Sequence, residues 1–352
     1  MTKSIILGDT HLGVRSDSSV FNSAFDKFYT KFFIPYLLKN NIKTVYQLGD
    51  LFDRRKYINF FILDEARRYF FDPLKKNGIK LITLLGNHDL FWKNSLKVNS
   101  TSLLLKDYDN ITVVDTPMNI NGIDMIPWLC EENIKEGMEF MKASTARVCM
   151  GHFEIAGFSM YKGQPNVEGV DRKVFDRYDL VMSGHFHHRS RQKNIVYVGT
   201  PIEMTWQDYD DPKGFHVFDD TTLDLEFVEN PSNMFLKFFY DDKEKEIKDI
   251  VNMDMSLYAE KYVKIVIRNK TNPYIFDSFM TKLYEVNPVD ISIVEEISGV
   301  TEEDEETITE VDDTVTILNK YIDNSKITEV DPSKLKNMMQ KLYNEALILE
   351  NE

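Results

Sequence analysis

Short apolar runs alternate with amphipathic stretches over the first 230 residues of the chain. Six runs have the length and composition of buried strands. They cover residues 4–7, 44–48, 80–85, 148–150, 180–182 and 195–198. Two stretches with apolar residues at helical spacing, 21–38 and 60–74, separate the first three runs. This alternation predicts an α/β fold in which helices flank layers of sheet.

A second pattern begins near Phe235. It contains strand-like runs at 235–242, 262–269 and 290–296 and a helical stretch at 274–284. Such an order predicts a small α+β domain. We therefore assign residues 1–230 to a first domain and residues 231–300 to a second domain that follows it.

The chain closes with an acidic stretch and helical patterns. Residues 301–313 contain acids and no base, which predicts a solvated linker. The segment 314–352 follows, and its last helical pattern places a set of apolar residues on one face. These are Leu335, Met338, Met339, Leu342, Ala346 and Leu349. Because such a face needs burial, it predicts a partner-binding helix, the alternative being a helix that folds back on the second domain.

Composition excludes several classes of protein. With 352 residues, 43% of them hydrophobic, the chain can bury cores for two or three domains. Its apolar stretches fall short of the ~20 residues of a membrane span, and the N-terminus lacks signal-peptide features. Cys130 and Cys149 form no CxxC pair. Disulfides and thiolate zinc sites are therefore not expected, and the cytoplasm is the predicted location.

The net charge of −15 argues at first against nucleic acid, since phosphate binding needs a basic surface. The acids, however, concentrate in the C-terminal third, as in the run 302–306. Basic clusters occur earlier, at 54–56, at 67–68 and at Arg189, Arg191 and Lys193. The distribution indicates an acidic region appended to a locally basic one. The cluster at 54–56 is either a solvated turn or a patch that tracks phosphates.

Five polar motifs follow predicted strands, and each begins with a glycine that permits a sharp turn. They are GDTH at 8–11, GDLFD at 49–53, GNHD at 86–89, GH at 151–152 and GHFH at 184–187. Ligand sites in α/β proteins collect at the carboxyl ends of strands, so the motifs are predicted to meet. The candidate metal donors in them are Asp9, His11, Asp50, Asn87, His152, His185 and His187.

Seven donors suit two divalent ions about 3.5–4 Å apart with one bridging carboxylate. Oxygen and imidazole donors without thiolate suit manganese, iron or zinc. His88 is the spare motif histidine, able to donate a hydrogen bond or a proton to a phosphate. Asp53 and Asp89 are interpreted as residues that orient the ligands. A lone His152 would be an ordinary core histidine, but the ordered set of five motifs strongly indicates a phosphoesterase.

The motif series resembles the calcineurin-like metallophosphoesterases. Further segments resemble, more narrowly, the SbcD-type nuclease subunits of double-strand-break repair, including those of T-even-type phages. These segments are IPWLCEEN at 126–133, SGHFH at 183–187, VGTP at 198–201 and DPKGFHVFD at 211–219. The resemblance covers residues 1–230 well and the remainder in layout only.

The resemblance implies a role for each motif residue. Asp9, His11 and His187 would hold one ion, Asn87, His152 and His185 the other, and Asp50 would bridge them, with Mn²⁺ as the expected metal. His88 would be the catalytic histidine. Many cellular members have a histidine, with a strand-sensing role, where this chain has Asp53, and an aspartate at this position resembles the bacterial and phage branch.

The family also implies partners. The domain at 231–300 would cap the nuclease domain, and 314–352 would dock on the coiled coil of an SMC-like ABC ATPase (SbcC-type). A homodimer would form through nuclease-domain helices. Aromatic residues that would supply such a face, or else belong to the core, are Tyr57, Phe60, Phe61, Phe91 and Trp92.

The leading hypothesis is therefore a Mn²⁺-dependent DNA nuclease with exonuclease and endonuclease activity. Its rival is a phosphomonoesterase or small-molecule phosphodiesterase on the same fold, since GDLFDR also resembles protein phosphatases. The ~120 residues after the catalytic domain favour the nuclease, because a small substrate has little need of them. A non-catalytic scaffold is disfavoured, since such proteins lose ligands and this chain has the full set.

Overall fold

The computed structural model describes residues 3–161, 164–166, 169–243 and 246–295. The predicted linker at 301–313 and the predicted helical segment at 314–352 lie outside these residues. The strands are β1 (Lys3–Leu7), β2 (Thr44–Gln47), β3 (Lys80–Leu84), β4 (Leu90–Trp92), β5 (Ser95–Asn99), β6 (Ile111–Val114), β7 (Met118–Ile120), β8 (Ile123–Ile126), β9 (Val148–His152), β10 (Ser159–Tyr161), β11 (Gln164–Pro165), β12 (Leu180–Gly184), β13 (Ser190–Gln192), β14 (Ile195–Tyr197), β15 (Gly214–Asp219), β16 (Leu225–Glu229), β17 (Phe235–Asp241), β18 (Tyr262–Asn269) and β19 (Asp290–Glu295).

Helices occupy the connections. The α-helices are Ser19–Lys27, Ile34–Lys39, Phe60–Ala66, Asp72–Lys76, Ser100–Leu105, Ile134–Ala143, Ile247–Val251 and Pro273–Glu285. Shorter 3₁₀ turns lie at Arg172–Phe175, Trp206–Asp208 and Ser256–Tyr258. Among the described residues, none of these helices has the length and apolar character to cross a bilayer.

Two six-stranded sheets pack face to face. The first has the order β16-β15-β1-β2-β3-β6 and the second β13-β14-β12-β9-β8-β7. Strands β1, β2, β3 and β6 run parallel, as do β8, β9, β12 and β14. Parallel strands are buried on both faces and read as continuous apolar runs. This explains why hydrophobic runs located six of these eight strands in the sequence, whereas β6 and β8 are absent from the prediction.

The space between the sheets is filled by apolar side chains from both. Ile6, Tyr46 and Leu84 of the first sheet belong to one buried cluster with Met150 and Met182 of the second. Aromatic residues of the helices cover the outer face of the first sheet in a separate cluster. The predicted α/β class with helix-flanked sheet layers is confirmed. The strand Gly214–Asp219, which pairs antiparallel with β1, is absent from the prediction.

Both helical segments predicted in the first 230 residues are present, and each passes through a π-helical turn. These turns are Phe28–Phe33 and Arg67–Phe71, and each is followed within two residues by a proline, Pro35 or Pro73. Proline lacks an N–H and its ring crowds the carbonyl four residues earlier. Each π turn therefore lies directly before the point at which a proline removes one α-helical hydrogen bond, although π turns inside α-helices are otherwise rare.

The residues after the two sheets form a three-stranded sheet, β17-β18-β19, with the helix Pro273–Glu285 against it. Tyr240, Ile265 and Phe279 lie at the centre of this buried cluster. Asn272 begins the helix by accepting the Tyr274 N–H, which satisfies one free donor of the first turn. Phe235 and Tyr262, with ring centroids 5.1 Å apart, connect this sheet to the first core.

Candidate metal centre

All five motifs meet at one end of the two sheets. Asp9 and His11 follow β1, Asp50 follows β2, Asn87 and His88 follow β3, His152 ends β9, and His185 and His187 follow β12. Because these strands are parallel within each sheet, their carboxyl ends share an edge. The packing of the two sheets brings both edges together, so donors from distant parts of the chain become neighbours.

The first group of donors is Asp9, His11 and His187, whose ligand atoms lie within 4.8 Å of one another. His11 Nε2 lies 3.1 Å from His187 Nε2. His187 Nε2 lies 4.0 Å from Asp9 Oδ2. Two ligands at about 2.1 Å from one ion are separated by roughly 3–3.5 Å. The facing imidazole nitrogens therefore have the spacing that a shared ion requires.

The second group is Asp50, His152 and His185, again within 4.8 Å. The Asn87 amide oxygen lies 3.0 Å from His152 Nε2, which adds a fourth donor to this group. His152 Nδ1 donates to the Leu48 carbonyl at 2.7 Å, so Nε2 is the nitrogen left to face the site. Trp128 packs against this group, with its ring centroid 5.0 Å from that of His185.

One oxygen of Asp50 lies between the two groups. Asp50 Oδ2 is 3.7 Å from His11 Nε2 and 3.4 Å from His152 Nε2. The other oxygen, Oδ1, accepts the backbone N–H of His88 at 2.7 Å. The chain thus directs one carboxylate oxygen toward two clusters of imidazole and carboxylate, and the donor set fits a pair of divalent ions.

The close packing of carboxylates and imidazoles shifts the pKa values of the donor side chains. Burial opposes a charge on His11 and His152, but the surrounding carboxylates outweigh it and raise the pKa of each to about 9. Burial also raises the Asp50 pKa, yet attraction to His152 and His11 outweighs it and lowers that pKa well below its usual range. Burial lowers the pKa of both His185 and His187 to about 3, so these two imidazoles are neutral and ready to bind metal.

Three of the candidate donors adopt a strained backbone. His11, Asp50 and His185 have φ of 43°, 52° and 87°, in a region that non-glycine residues seldom occupy. Asp89 holds the Asp50 loop in place, because its carboxylate accepts the N–H groups of Asp50, Leu51 and Gly86 at 2.8–3.1 Å. Asp89 therefore orients the loops, as predicted, and lies outside both donor groups.

His88 lies beside the first group and faces a cavity of ≈ 300 Å³. Its Nδ1 is 2.6 Å from the Asp53 carbonyl, which leaves Nε2 for the cavity. The Asp53 carboxylate lies 3.3 Å from His11 Nδ1 and so orients that ring. His11, Asp53 and His88 also approach one another closely enough to hold a metal. We favour the orienting role for Asp53, since His11 Nε2 already points into the first group.

The basic clusters do not line this cavity. Arg54 packs over the Tyr57 ring at 4.8 Å and approaches Asp17 at 3.7 Å, and Arg68 pairs with Glu65 and Asp26. The cavity is lined by His11, Val14, Asp50, Asp53, Asn87, His88, His185, Phe186, His187, Met204 and Thr205. Val14, Phe186 and Met204 supply an apolar wall that the donor motifs gave no reason to expect.

Comparisons with known proteins agree with this geometry. The model of the calcineurin-like phosphoesterase family matches residues 2–189. The chain is 36% identical over 351 residues to Exonuclease subunit 1 of Enterobacteria phage T4, which covers 98% of this chain and 99% of that protein. GAP50, the anchor in the inner membrane complex of Plasmodium, matches with a TM-score of 0.39 and 11% identity over 66% of this chain and 90% of its own. The last likeness is too distant to inform function.

Proposed function

Because the chain belongs to the calcineurin-like phosphoesterase family and is therefore a metal-dependent phosphoesterase, we propose that it is a DNA nuclease that uses two Mn²⁺ ions. The observation that carries this proposal is the position of Asp50 Oδ2 between two imidazole–carboxylate groups. The likeness to a phage exonuclease subunit over nearly the whole chain supports DNA as the substrate.

In this proposal, Asp9, His11 and His187 would hold one ion, Asn87, His152 and His185 would hold the other, and Asp50 would be shared by both. When bound, two such ions supply Lewis-acid activation of water and of the phosphate. The backbone strain at three of the donors is the cost of directing them toward a common centre. Asp53 and Asp89 stabilise that arrangement through His11 and the Asp50 loop.

His88 supplies the proton chemistry. Burial and the nearby charge of His11 lower its pKa in the metal-free chain. A phosphate that enters the cavity would raise this pKa by attraction, which favours a protonated ring beside the substrate. With Nδ1 held by the Asp53 carbonyl, Nε2 can donate a hydrogen bond to the phosphate or a proton to the leaving oxygen.

The finer proposals concern cleavage mode and partners. We propose exonuclease and endonuclease activity on DNA ends in recombination and double-strand-break repair, in the host cytoplasm. The relative is named as a subunit, which supports a partner. We propose an SMC-like ABC ATPase of the SbcC type, bound through residues 314–352, and a homodimer formed by the catalytic domain.

A phosphomonoesterase or small-molecule phosphodiesterase remains the second candidate, since the donor set alone suits any phosphate ester. Cleavage of plasmid DNA, short duplex DNA and p-nitrophenyl phosphate, each with Mn²⁺ and with EDTA, separates the two. We expect rapid Mn²⁺-dependent cleavage of both DNA substrates. Asp50→Asn should lower that cleavage more than removal of any single terminal ligand, because both ions depend on Asp50.

Two results would contradict the proposal. Full DNA cleavage in EDTA would exclude the two-metal site. Rapid hydrolysis of p-nitrophenyl phosphate without DNA cleavage would assign the site to the small-substrate function.

A further inference from the structure

A buried cation lies directly behind the His187 loop. Lys213 is 5% exposed, and its ammonium donates to the His187 carbonyl at 2.9 Å. The same ammonium lies 2.7 Å from Asp208 Oδ1 and 2.7 Å from Asp211 Oδ2. Three acceptors match the three N–H donors of an ammonium. Lys213 thus joins the backbone of a candidate metal ligand to two carboxylates from the next segment of the chain.

The two carboxylates extend the network to both sides. Asp208 Oδ2 accepts the backbone N–H groups of Met204 and Thr205 at 2.8 and 3.0 Å, and these two residues line the cavity above His88. Asp211 Oδ1 lies 2.9 Å from Nδ1 of His188, the residue after His187. One buried cation therefore connects the loop of a candidate ligand with the wall of the substrate cavity.

The network consists of charged groups, although apolar side chains at these positions would be expected to give equal or greater stability. Burial by itself would raise the pKa of both Asp208 and Asp211. For Asp208, the attraction of Lys213 outweighs burial and lowers the pKa. For Asp211, the hydrogen bond to His188 and the attraction of Lys213 together outweigh burial and lower the pKa. Replacing a buried ion network by apolar residues is often neutral or stabilising. What the ion network provides, and apolar packing would not, is a fixed orientation for one particular backbone carbonyl.

We propose that Lys213 is a positioning residue for the ion held by Asp9, His11 and His187. By fixing the His187 carbonyl, it orients the imidazole of the same residue so that Nε2 faces His11 Nε2. This inference rests on the two-ion part of the proposed function and is independent of the substrate. Groups that orient a ligand from behind typically contribute 10–100-fold to metal affinity.

The test is a titration of the metal-free full-length protein with Mn²⁺. Calorimetry and the electron paramagnetic resonance of bound Mn²⁺ both measure the binding. In Lys213→Met, we expect one Mn²⁺ equivalent to weaken 10–100-fold and the other to keep its affinity. His187→Ala should weaken the same equivalent, and the double variant should bind no more weakly than His187→Ala alone. No substrate is present, so failure of the nuclease proposal would leave the result interpretable.

Asp242→Asn is the matched control. Asp242 is buried directly after β17 of the three-stranded sheet, and its carboxylate accepts the N–H groups of Thr271 and Asn272. Its loss should lower the melting temperature without changing either Mn²⁺ affinity. If Lys213→Met does not fold, Asp211→Asn keeps the Lys213–Asp208 pair and should weaken the same equivalent to a smaller extent. The proposal would be overturned if Lys213→Met bound both Mn²⁺ equivalents with wild-type affinity, or if Asp211→Asn did so where Lys213→Met does not fold. Equal weakening of Mn²⁺ binding in Asp242→Asn would also overturn it.

Discussion

At the scale of single residues, the site assigns different tasks to similar side chains. Asp50 and Asp89 are both buried carboxylates in adjacent loops, yet Asp50 faces two groups of imidazoles and Asp89 faces backbone N–H groups. His88 and His187 are likewise both motif histidines. His88 uses Nδ1 to anchor itself to the Asp53 carbonyl, whereas His187 directs Nε2 at His11. Neighbouring atoms, rather than residue type, separate orienting residues from candidate ligands.

His88→Asn tests this division of tasks. We expect the variant to bind both Mn²⁺ equivalents normally and to cleave DNA about 10²–10⁴ times more slowly, the usual effect of losing a general acid. Metal content and single-turnover rate should be measured on the same preparation, with Asp50→Asn as the metal-deficient reference. If His88→Asn loses metal as Asp50→Asn does, His88 is a ligand and its assignment is wrong.

Metal binding should depend on pH in a defined direction. Ligation requires neutral imidazole, but His11 and His152 have a pKa of about 9 in the metal-free chain and are protonated at neutral pH. Mn²⁺ must displace those protons, so its affinity should rise as pH increases from about 6 and level off near pH 9. His185 and His187, with a pKa of about 3, should release none.

Calorimetry in two buffers of different ionisation enthalpy counts the released protons directly. A value near two at pH 7 is expected. The Mn²⁺ affinity of His11→Ala, which retains His152, should rise less steeply with pH. An affinity that stays constant between about pH 6 and pH 9 would show that the carboxylates do not hold these imidazoles in the charged form.

At the scale of elements, the loops after β2 and β3 interlock with almost no free space. A Cβ added to Gly86 would lie 2.1 Å from Asp50 Oδ1 and 2.3 Å from the Asp50 nitrogen. Neither loop can move away, because Asp89 ties the two together. The glycine that begins the GNHD motif therefore permits the close approach of two strand ends, in addition to the turn that its position suggested.

Gly86→Ala should consequently displace Asp50. We expect weaker binding of both Mn²⁺ equivalents and a loss of about 1–3 kcal/mol in the free energy of unfolding, the usual cost of overpacking. Gly78→Ala is the control: Gly78 has a positive φ of +61°, which Gly86 lacks, and no atom lies within 4 Å of the added Cβ. It should cost about 1–2 kcal/mol through backbone strain alone. Unchanged Mn²⁺ affinity in Gly86→Ala would refute the interlocked arrangement.

At the scale of the whole molecule, the first question concerns an exposed aromatic surface. Phe60 and Phe61 begin a helix of the catalytic domain and are 87% and 58% exposed, with Tyr57 exposed beside them. All five residues of the predicted aromatic set are thus exposed, since Phe91 and Trp92 are exposed as well, and an exposed apolar area marks an interface. This supports the proposed homodimer and argues against the alternative that these side chains belong to the core.

Phe60→Glu should therefore convert a dimer into a monomer, since a buried unpaired carboxylate opposes association. Sedimentation velocity measures the outcome. Tyr274→Glu is a matched control, because Tyr274 is an aromatic residue 77% exposed on the helix Pro273–Glu285 and does not belong to the predicted aromatic set. A wild-type protein that sediments as a monomer, or a dimer that survives Phe60→Glu, would exclude this interface.

The second question concerns residues 314–352. Their predicted apolar face suits the coiled coil of an ATPase partner, and methionines such as Met338 and Met339 suit an adaptable contact. Truncation after Asp313 should leave Mn²⁺-dependent nuclease activity and melting temperature nearly unchanged while abolishing co-purification with the ATPase. Aggregation of the truncated chain would favour the alternative, in which the helix packs on its own second domain. Retained ATPase binding would place the docking site elsewhere.

The sequence by itself determined the features that depend on local chemistry. Continuous apolar runs predicted six of the eight parallel strands, because parallel strands are covered on both faces. Helical spacing predicted the long helical segments 21–38, 60–74 and 274–284, and glycine followed by carboxylate, amide or imidazole predicted the residues at the strand ends. The motif order was enough for the fold class and for a set of candidate donors, since each of these properties is encoded within about ten residues.

Only the tertiary structure decided how those residues combine. The division of the strands into two sheets, the antiparallel strand Gly214–Asp219 and the approach of Asp50 Oδ2 to both histidine groups depend on contacts between distant segments. Lys213 lies in the DPKGFHVFD segment that carries part of the family resemblance, but the sequence predicted no role for it, because that role depends on the His187 carbonyl, 26 positions away. Spacing along the chain encodes which side chains are available, whereas packing between elements sets their distances, and those distances determine the chemistry.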